Sequence, residues 1–192
     1  MFIRSSQAGN ARGFSVMETT VVVAIAGIVL AFAVPNITNA LREYRINAGM
    51  RQVADLVHRA RMQAIANNTQ TSIAVDSANN RAGIIVFNAD GTINRTDYIP
   101  FPYGVSFGRP TGVTAPLTGV ITNKNVSFPA QGTSTTIFQQ NFNSRGFPVV
   151  AAAGAINVLY FTNGKTFRAL TVNSVGEARR WSWDGTTWQI SR

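Results

Sequence analysis

Glu18 is the single charged side chain between Arg12 and Arg42. It stands at the head of Val21-Val22-Val23-Ala24-Ile25-Ala26-Gly27-Ile28-Val29-Leu30-Ala31-Phe32-Ala33-Val34. From Phe14 to Val34 the segment would measure roughly 31 Å as a helix, the thickness of a bilayer's hydrocarbon core. A charge carried into that layer costs about 2.5–3.5 kcal/mol. A carboxylate there calls for a partner of opposite charge.

Other chemistry-bearing residues are sparse. His58 is the only histidine, lies between Val57 and Arg59, and has no cysteine in the chain to join it as a metal ligand. With that histidine placed on a helix, no Ser-His-Asp arrangement is expected. The eight acids are scattered without a pair suited to acid–base work, and the glycines form no phosphate-cradling loop. The reading is of a non-enzyme with no cofactor and no metal. One dense cluster remains: Arg179-Arg180-Trp181-Ser182-Trp183-Asp184-Gly185-Thr186-Thr187-Trp188. Trp181 and Trp183, two apart, would share one strand face. They either pack on a sheet or, with Arg179 and Arg180, form a surface for a partner or a nucleic acid.

The elements that position these residues can be read from periodicity. Pro35, lacking an amide hydrogen, should kink the helix beyond the apolar run. Ile37, Leu41, Tyr44 and Ala48, then Val53, Leu56, Val57, Ala60 and Ala64, recur at three- and four-residue steps as the packing stripe of an amphipathic helix. That helix should cap near Asn67-Asn68. Short apolar runs at 71–75, 82–87, 105–107, 120–128, 136–142, 156–162 and 166–173 read as strands. Asn163-Gly164 predicts a type I′ hairpin, and Asp90-Gly91 and Asp184-Gly185 two further tight turns. The fold class is α+β: a long N-terminal α-helix, half membrane-spanning and half amphipathic, packed on a C-terminal antiparallel β-sheet head. Without cysteine that head must hold together by packing alone.

The residues before Glu18 carry a family resemblance. A short polar leader with Arg4 and Arg12 ends at Gly13, and Gly13-Phe14-Ser15-Val16-Met17-Glu18 leads into the apolar run, with Pro35 behind it. This resembles the class III signal of type IV pilins and pseudopilins, cut by a membrane peptidase after glycine. The resemblance implies cleavage between Gly13 and Phe14, N-methylation of Phe14, and a role in assembly for Glu18, offsetting a neighbouring subunit's amine. An ordinary secretory signal would show a shorter apolar core and a small-residue cleavage site before a soluble domain; a plain single-span anchor would tolerate Glu18 near the interface. The implied layout is a leader at 1–13, a membrane and filament-core helix at 14–35, and a head at 36–192, with amphipathic helix 36–67 and β-rich 70–192.

The second half extends the resemblance. Phe142-Asn143-Ser144-Arg145-Gly146-Phe147-Pro148, Gly154-Ala155-Ile156-Asn157-Val158, Thr162-Asn163-Gly164-Lys165 and Val172-Asn173-Ser174-Val175-Gly176 follow the order of GspH/FimT-type pseudopilins and minor pilins. The family implies a structural subunit, a minor pilin or pseudopilin of a type IV pilus or type II secretion pseudopilus, at or near the filament tip. Its implied partners are other pilins, the prepilin peptidase and methylase, and the bacterial inner membrane, with a single-pass chain and the head in the periplasm before assembly. Some FimT-type minor pilins bind DNA through Gly-Arg-x-Arg; here Gly176-Glu177-Ala178-Arg179 puts a glutamate at the first arginine. The formal charge of +9 falls to +7 on side chains once Arg4 and Arg12 are removed, which suits membrane phosphates, acidic neighbours or nucleic acid alike. DNA uptake is therefore the alternative function, with Arg179, Arg180, Arg168 and Lys165 as its expected basic stripe.

Overall fold

The computed structural model describes residues 13, 15–113, 115–117, 126, 128–129, 131–149 and 156–191. The leader apart from Gly13, Phe14, and most of the expected strand at 120–128 lie outside the described residues. One helix, α1 (Val16–Asn67), is followed by nine strands: β1 (Thr71–Asp76), β2 (Arg81–Phe87), β3 (Ile93–Pro100), β4 (Ser106–Phe107), β5 (Ile137–Phe142), β6 (Asn157–Thr162), β7 (Phe167–Val172), β8 (Ala178–Trp183) and β9 (Trp188–Ile190). The chain is α+β, and its contacts divide between Ala40 and Leu41 into two units.

The first unit is the amino-terminal part of α1. Ser15 Oγ accepts the Glu18 amide at 3.2 Å, so a hydroxyl caps one of the donors a helix start leaves unpaired. Serine followed three residues later by glutamate is also the sequence signature of a capping box. α1 runs on through Pro35, with Thr38 Oγ1 donating to the Pro35 carbonyl at 2.9 Å.

The second unit packs the rest of α1 against two antiparallel sheets, ordered β3-β2-β1-β5 and β4-β6-β7-β8-β9. The buried helix face is Ile46, Gly49, Met50, Val53, Leu56, Val57, Ala60 and Ala64. This corrects the first half of the expected stripe: Ile37, Leu41 and Tyr44 are exposed, and the covered face begins at Ile46. Periodicity identifies an apolar face; it does not say whether this chain covers it. From Val53 on, the expected positions are the buried ones. The helix core draws Ile73 and Val75 from β1, Phe142 from β5, Leu159 and Phe161 from β6, and Leu170 and Val172 from β7. Asn68, at φ 49°, ends the helix in a Schellman motif: the Thr69 amide donates to Ala64 and the Asn68 amide to Ile65.

β1 and β6, interior strands of their sheets, are buried almost throughout. A polar link joins the sheets where Asn157 Nδ2 donates to Gln140 Oε1, both residues being buried. Gln140 Nε2 donates on to the Val149 carbonyl at 3.0 Å. The hairpin expected at Asn163-Gly164 is in place but differs in type. β6 and β7 pair to Thr162 and Phe167, leaving a four-residue loop in which Gly164 alone takes positive φ, at 84°. Asn163 Oδ1 accepts the Lys165 and Thr166 amides, so an Asx turn replaces the type I′ geometry. Asp184-Gly185 closes β8 to β9 by the same device.

Candidate functional site

The helix start is organised around Glu18. Thr19 and Thr20 follow it and turn their hydroxyls onto the carbonyls of Ser15 and Val16, at 3.2 and 2.8 Å. These side chains satisfy themselves within the helix and can enter an apolar layer. The Glu18 carboxylate has no hydrogen-bond or ion-pair partner among the described residues. The apolar run behind it has the length and composition to cross a membrane, and none of it is buried among the described residues. Gly27 lies inside that run with no atom of another segment within 4 Å of where a Cβ would sit. A helical glycine costs roughly 1 kcal/mol against alanine. No packing among the described residues offsets that cost, whereas close approach of a second helix would. Gly13 is equally open, so no contact among the described residues requires a glycine there.

The carboxy-terminal cluster resolves into two faces of one sheet. Trp181 is 7% exposed and packs with Val158, Tyr160 and Ala169 on the face away from α1. Its Nε1 donates to Thr171 Oγ1 at 2.9 Å. Trp188 lies against Tyr160 and Trp183, with ring centroids 5.7 and 5.3 Å apart. Ala115, Leu117 and Ile156 cover this second, smaller core. Trp181 is thus packed inside the head, while Trp183 and Trp188 are half-buried against each other.

The arginines do not form the expected stripe. Arg179 alternates with Trp181 on one face, while Arg180, opposite Leu170, belongs to the other. Arg179 Nε donates to Glu177 Oε1 at 2.9 Å. That bond holds the Glu177 carboxyl below its ordinary range and raises the Arg179 guanidinium. Glu177, standing where the DNA-binding pattern has arginine, thus neutralises the arginine that remains. Arg168 is nearly buried and pairs with Glu43 at 2.7 Å and with Asn47 Oδ1 at 3.2 Å, so it fastens β7 to α1. Only Lys165 of the four projects from a loop into a basic concavity, shared with Arg42 and Arg45.

His58 is exposed on α1, and among the described residues no group of three His, Cys, Asp or Glu could hold a metal ion. Two segments named from the sequence, without note of their likeness, repeat one turn. Asn143-Ser144-Arg145-Gly146 and Asn173-Ser174-Val175-Gly176 are the same Asn-Ser-x-Gly tetrad. In each the asparagine Oδ1 accepts the amides two and four residues on, and the glycine amide returns to the asparagine carbonyl. Gly146 and Gly176 take φ of 76° and 80°, and a Cβ on either would touch Arg61 of α1, that on Gly146 also meeting Ile65. A Cβ on Gly146 would stand 2.7 Å from Ile65 Cδ1. The repetition of the tetrad was the available signal.

No family model matches the chain, and no curated protein sequence matches it. Two solved structures are similar to it. One is the type IV minor pilin FimU of Pseudomonas aeruginosa, 13% identical, covering 78% of this chain and 90% of that one at a TM-score of 0.47. The other is the minor pseudopilin EpsH from the type 2 secretion system of Vibrio cholerae, 11% identical, covering 77% and 96% at a TM-score of 0.36.

Proposed function

We propose that this chain is a pilin-like structural subunit, a minor pilin or pseudopilin, and not an enzyme. Supporting the reading above all is the exposed apolar helix headed by Glu18, which the rest of the chain leaves without cover. A single span accounts for its length, and packing among like helices accounts for Gly27 and for a carboxylate in an apolar layer. In this reading the leader is removed between Gly13 and Phe14, Phe14 is N-methylated, and its amine on one subunit meets Glu18 of another. Before assembly the chain sits in the bacterial inner membrane with its head in the periplasm; afterwards it belongs at or near the tip of a pilus or pseudopilus.

Processing tests the reading directly. Mass spectrometry of the assembled protein should give an amino terminus of methylated Phe14, and Gly13→Val should leave the precursor uncut. Gly13 meets no contact among the described residues, so that failure would belong to the peptidase and not to folding. An assembled protein that retains Met1 would end the proposal.

A further inference from the structure

Arg42, Arg45 and Lys165 line one open concavity of about 380 Å³, together with Tyr103, Asn163 and glycine backbone. Three segments distant in sequence build it: α1 supplies both arginines, the β3–β4 loop supplies Tyr103, and the β6–β7 loop supplies Lys165. Asn163 Nδ2 ties the loop to the helix by donating to the Arg42 carbonyl at 3.3 Å. The Arg45 guanidinium lies 5.8 Å from the centre of the Tyr103 ring, which holds its long side chain over the site. No acidic residue lines the concavity. Glu43, the carboxylate next to Arg42 in sequence, is engaged by Arg168 instead. Among the described residues none of the three cations forms an ion pair. Three unpaired cations around one hollow, with no carboxylate to answer them, constitute a site for an anion.

The position of the arginines in the chain indicates which anion. Arg42 and Arg45 follow Val34, the last residue of the apolar run, by eight and eleven positions. At about 1.5 Å per residue that is roughly 12–17 Å of helix. Headgroups occupy the first several ångströms outside the hydrocarbon core, and extended arginine side chains reach back toward it. We propose that this concavity binds the headgroup phosphate of an anionic phospholipid, holding the head at the membrane surface before assembly. The inference rests on the membrane-inserted reading above.

The test uses the full chain in neutral detergent, with retained lipid measured by native mass spectrometry for phosphatidylglycerol and phosphatidylcholine. Flotation with phosphatidylcholine vesicles first checks insertion: a chain that fails to float refutes the membrane reading itself. A chain that floats is then expected to retain phosphatidylglycerol about a hundredfold more tightly than phosphatidylcholine. Each basic residue near an anionic surface contributes roughly fivefold, so the triple variant Arg42→Gln/Arg45→Gln/Lys165→Gln should lose the preference by about two orders of magnitude. Arg51→Gln/Arg59→Gln/Arg145→Gln, three exposed cations elsewhere, should retain it with unchanged circular dichroism. Equal retention of both lipids, or equal loss in the two triple variants, would overturn the proposal. So would displacement of phosphatidylglycerol by millimolar inorganic phosphate, which would make the site one for a soluble anion. Binding of a short DNA duplex through the same three residues, without lipid preference, would reassign the site to nucleic acid.

Discussion

At the scale of single residues, Glu18 and Trp181 show how differently two conspicuous side chains are used. The Glu18 amide closes the helix cap, while its carboxylate has no partner among the described residues. Glu18→Ala removes a costly charge, so membrane insertion should be unchanged or easier. Incorporation into a filament should fall, because a neighbour's amine would be buried without its partner. Equal recovery of mutant and wild type in pull-downs of assembled filaments would remove the pairing role. Trp181 behaves in the opposite way, with its ring buried and its one donor satisfied inside the head. Trp181→Ala should cost about 3–5 kcal/mol and lower the melting temperature. Arg179→Glu, on the same strand face but exposed, should leave the melting temperature nearly unchanged. Combined with Arg180→Glu it should change only a weak, salt-sensitive DNA shift of the kind any basic protein gives. Tight binding abolished by the double reversal would instead favour nucleic-acid capture.

At the scale of elements, β3 was not legible in the sequence. Its residues are almost all exposed, and Arg95 pairs with Asp97 across the same face, so the strand shows neither apolar alternation nor a β-branched run. It is an edge strand defined by its neighbour. Gly83 of β2 makes the pairing possible: a Cβ there would fall 1.9 Å from the Asp97 carbonyl oxygen. The obstacle is backbone, which cannot rotate aside. Gly83→Ala should therefore destabilise the head by about 1–3 kcal/mol, visible as a lowered denaturant midpoint, with faster amide exchange confined to β3. Gly27→Ala should do the reverse. Its site is open and alanine is the better helix former, so the isolated chain should lose nothing while assembly declines if helices meet there. The buried strands were readable, since β1, β2, β6 and β7 are Ile-, Val- and Thr-rich segments covered on both or nearly both faces. What the residues could not disclose was partnership between distant segments: which half of an apolar stripe is covered, which arginine meets Glu177 or Glu43, and which face of β8 an arginine occupies.

At the scale of the molecule, the two units differ in how much apolar surface they leave exposed. Every residue of the main core, from Ile46 onward, belongs to the unit Leu41–Arg192. The large apolar side chains from Val16 to Val34 are exposed and contribute nothing to that core. Removing them should therefore take away no stabilising contact of the head, while it eliminates the surface that would drive aggregation in water. A chain beginning at Asn36 should be soluble, monomeric by sedimentation, and cooperative in thermal unfolding, because one core of ordinary domain size spans helix and both sheets. Ile37, Leu41 and Tyr44 would remain exposed on it, too small a stripe to hold a stable dimer. The full chain should need detergent or lipid under the same conditions. Should the truncated head be unfolded at 25 °C, or regain structure only when the apolar helix is restored, the core would depend on that helix. The division of labour between a membrane-inserted helix and a self-sufficient head would then fail.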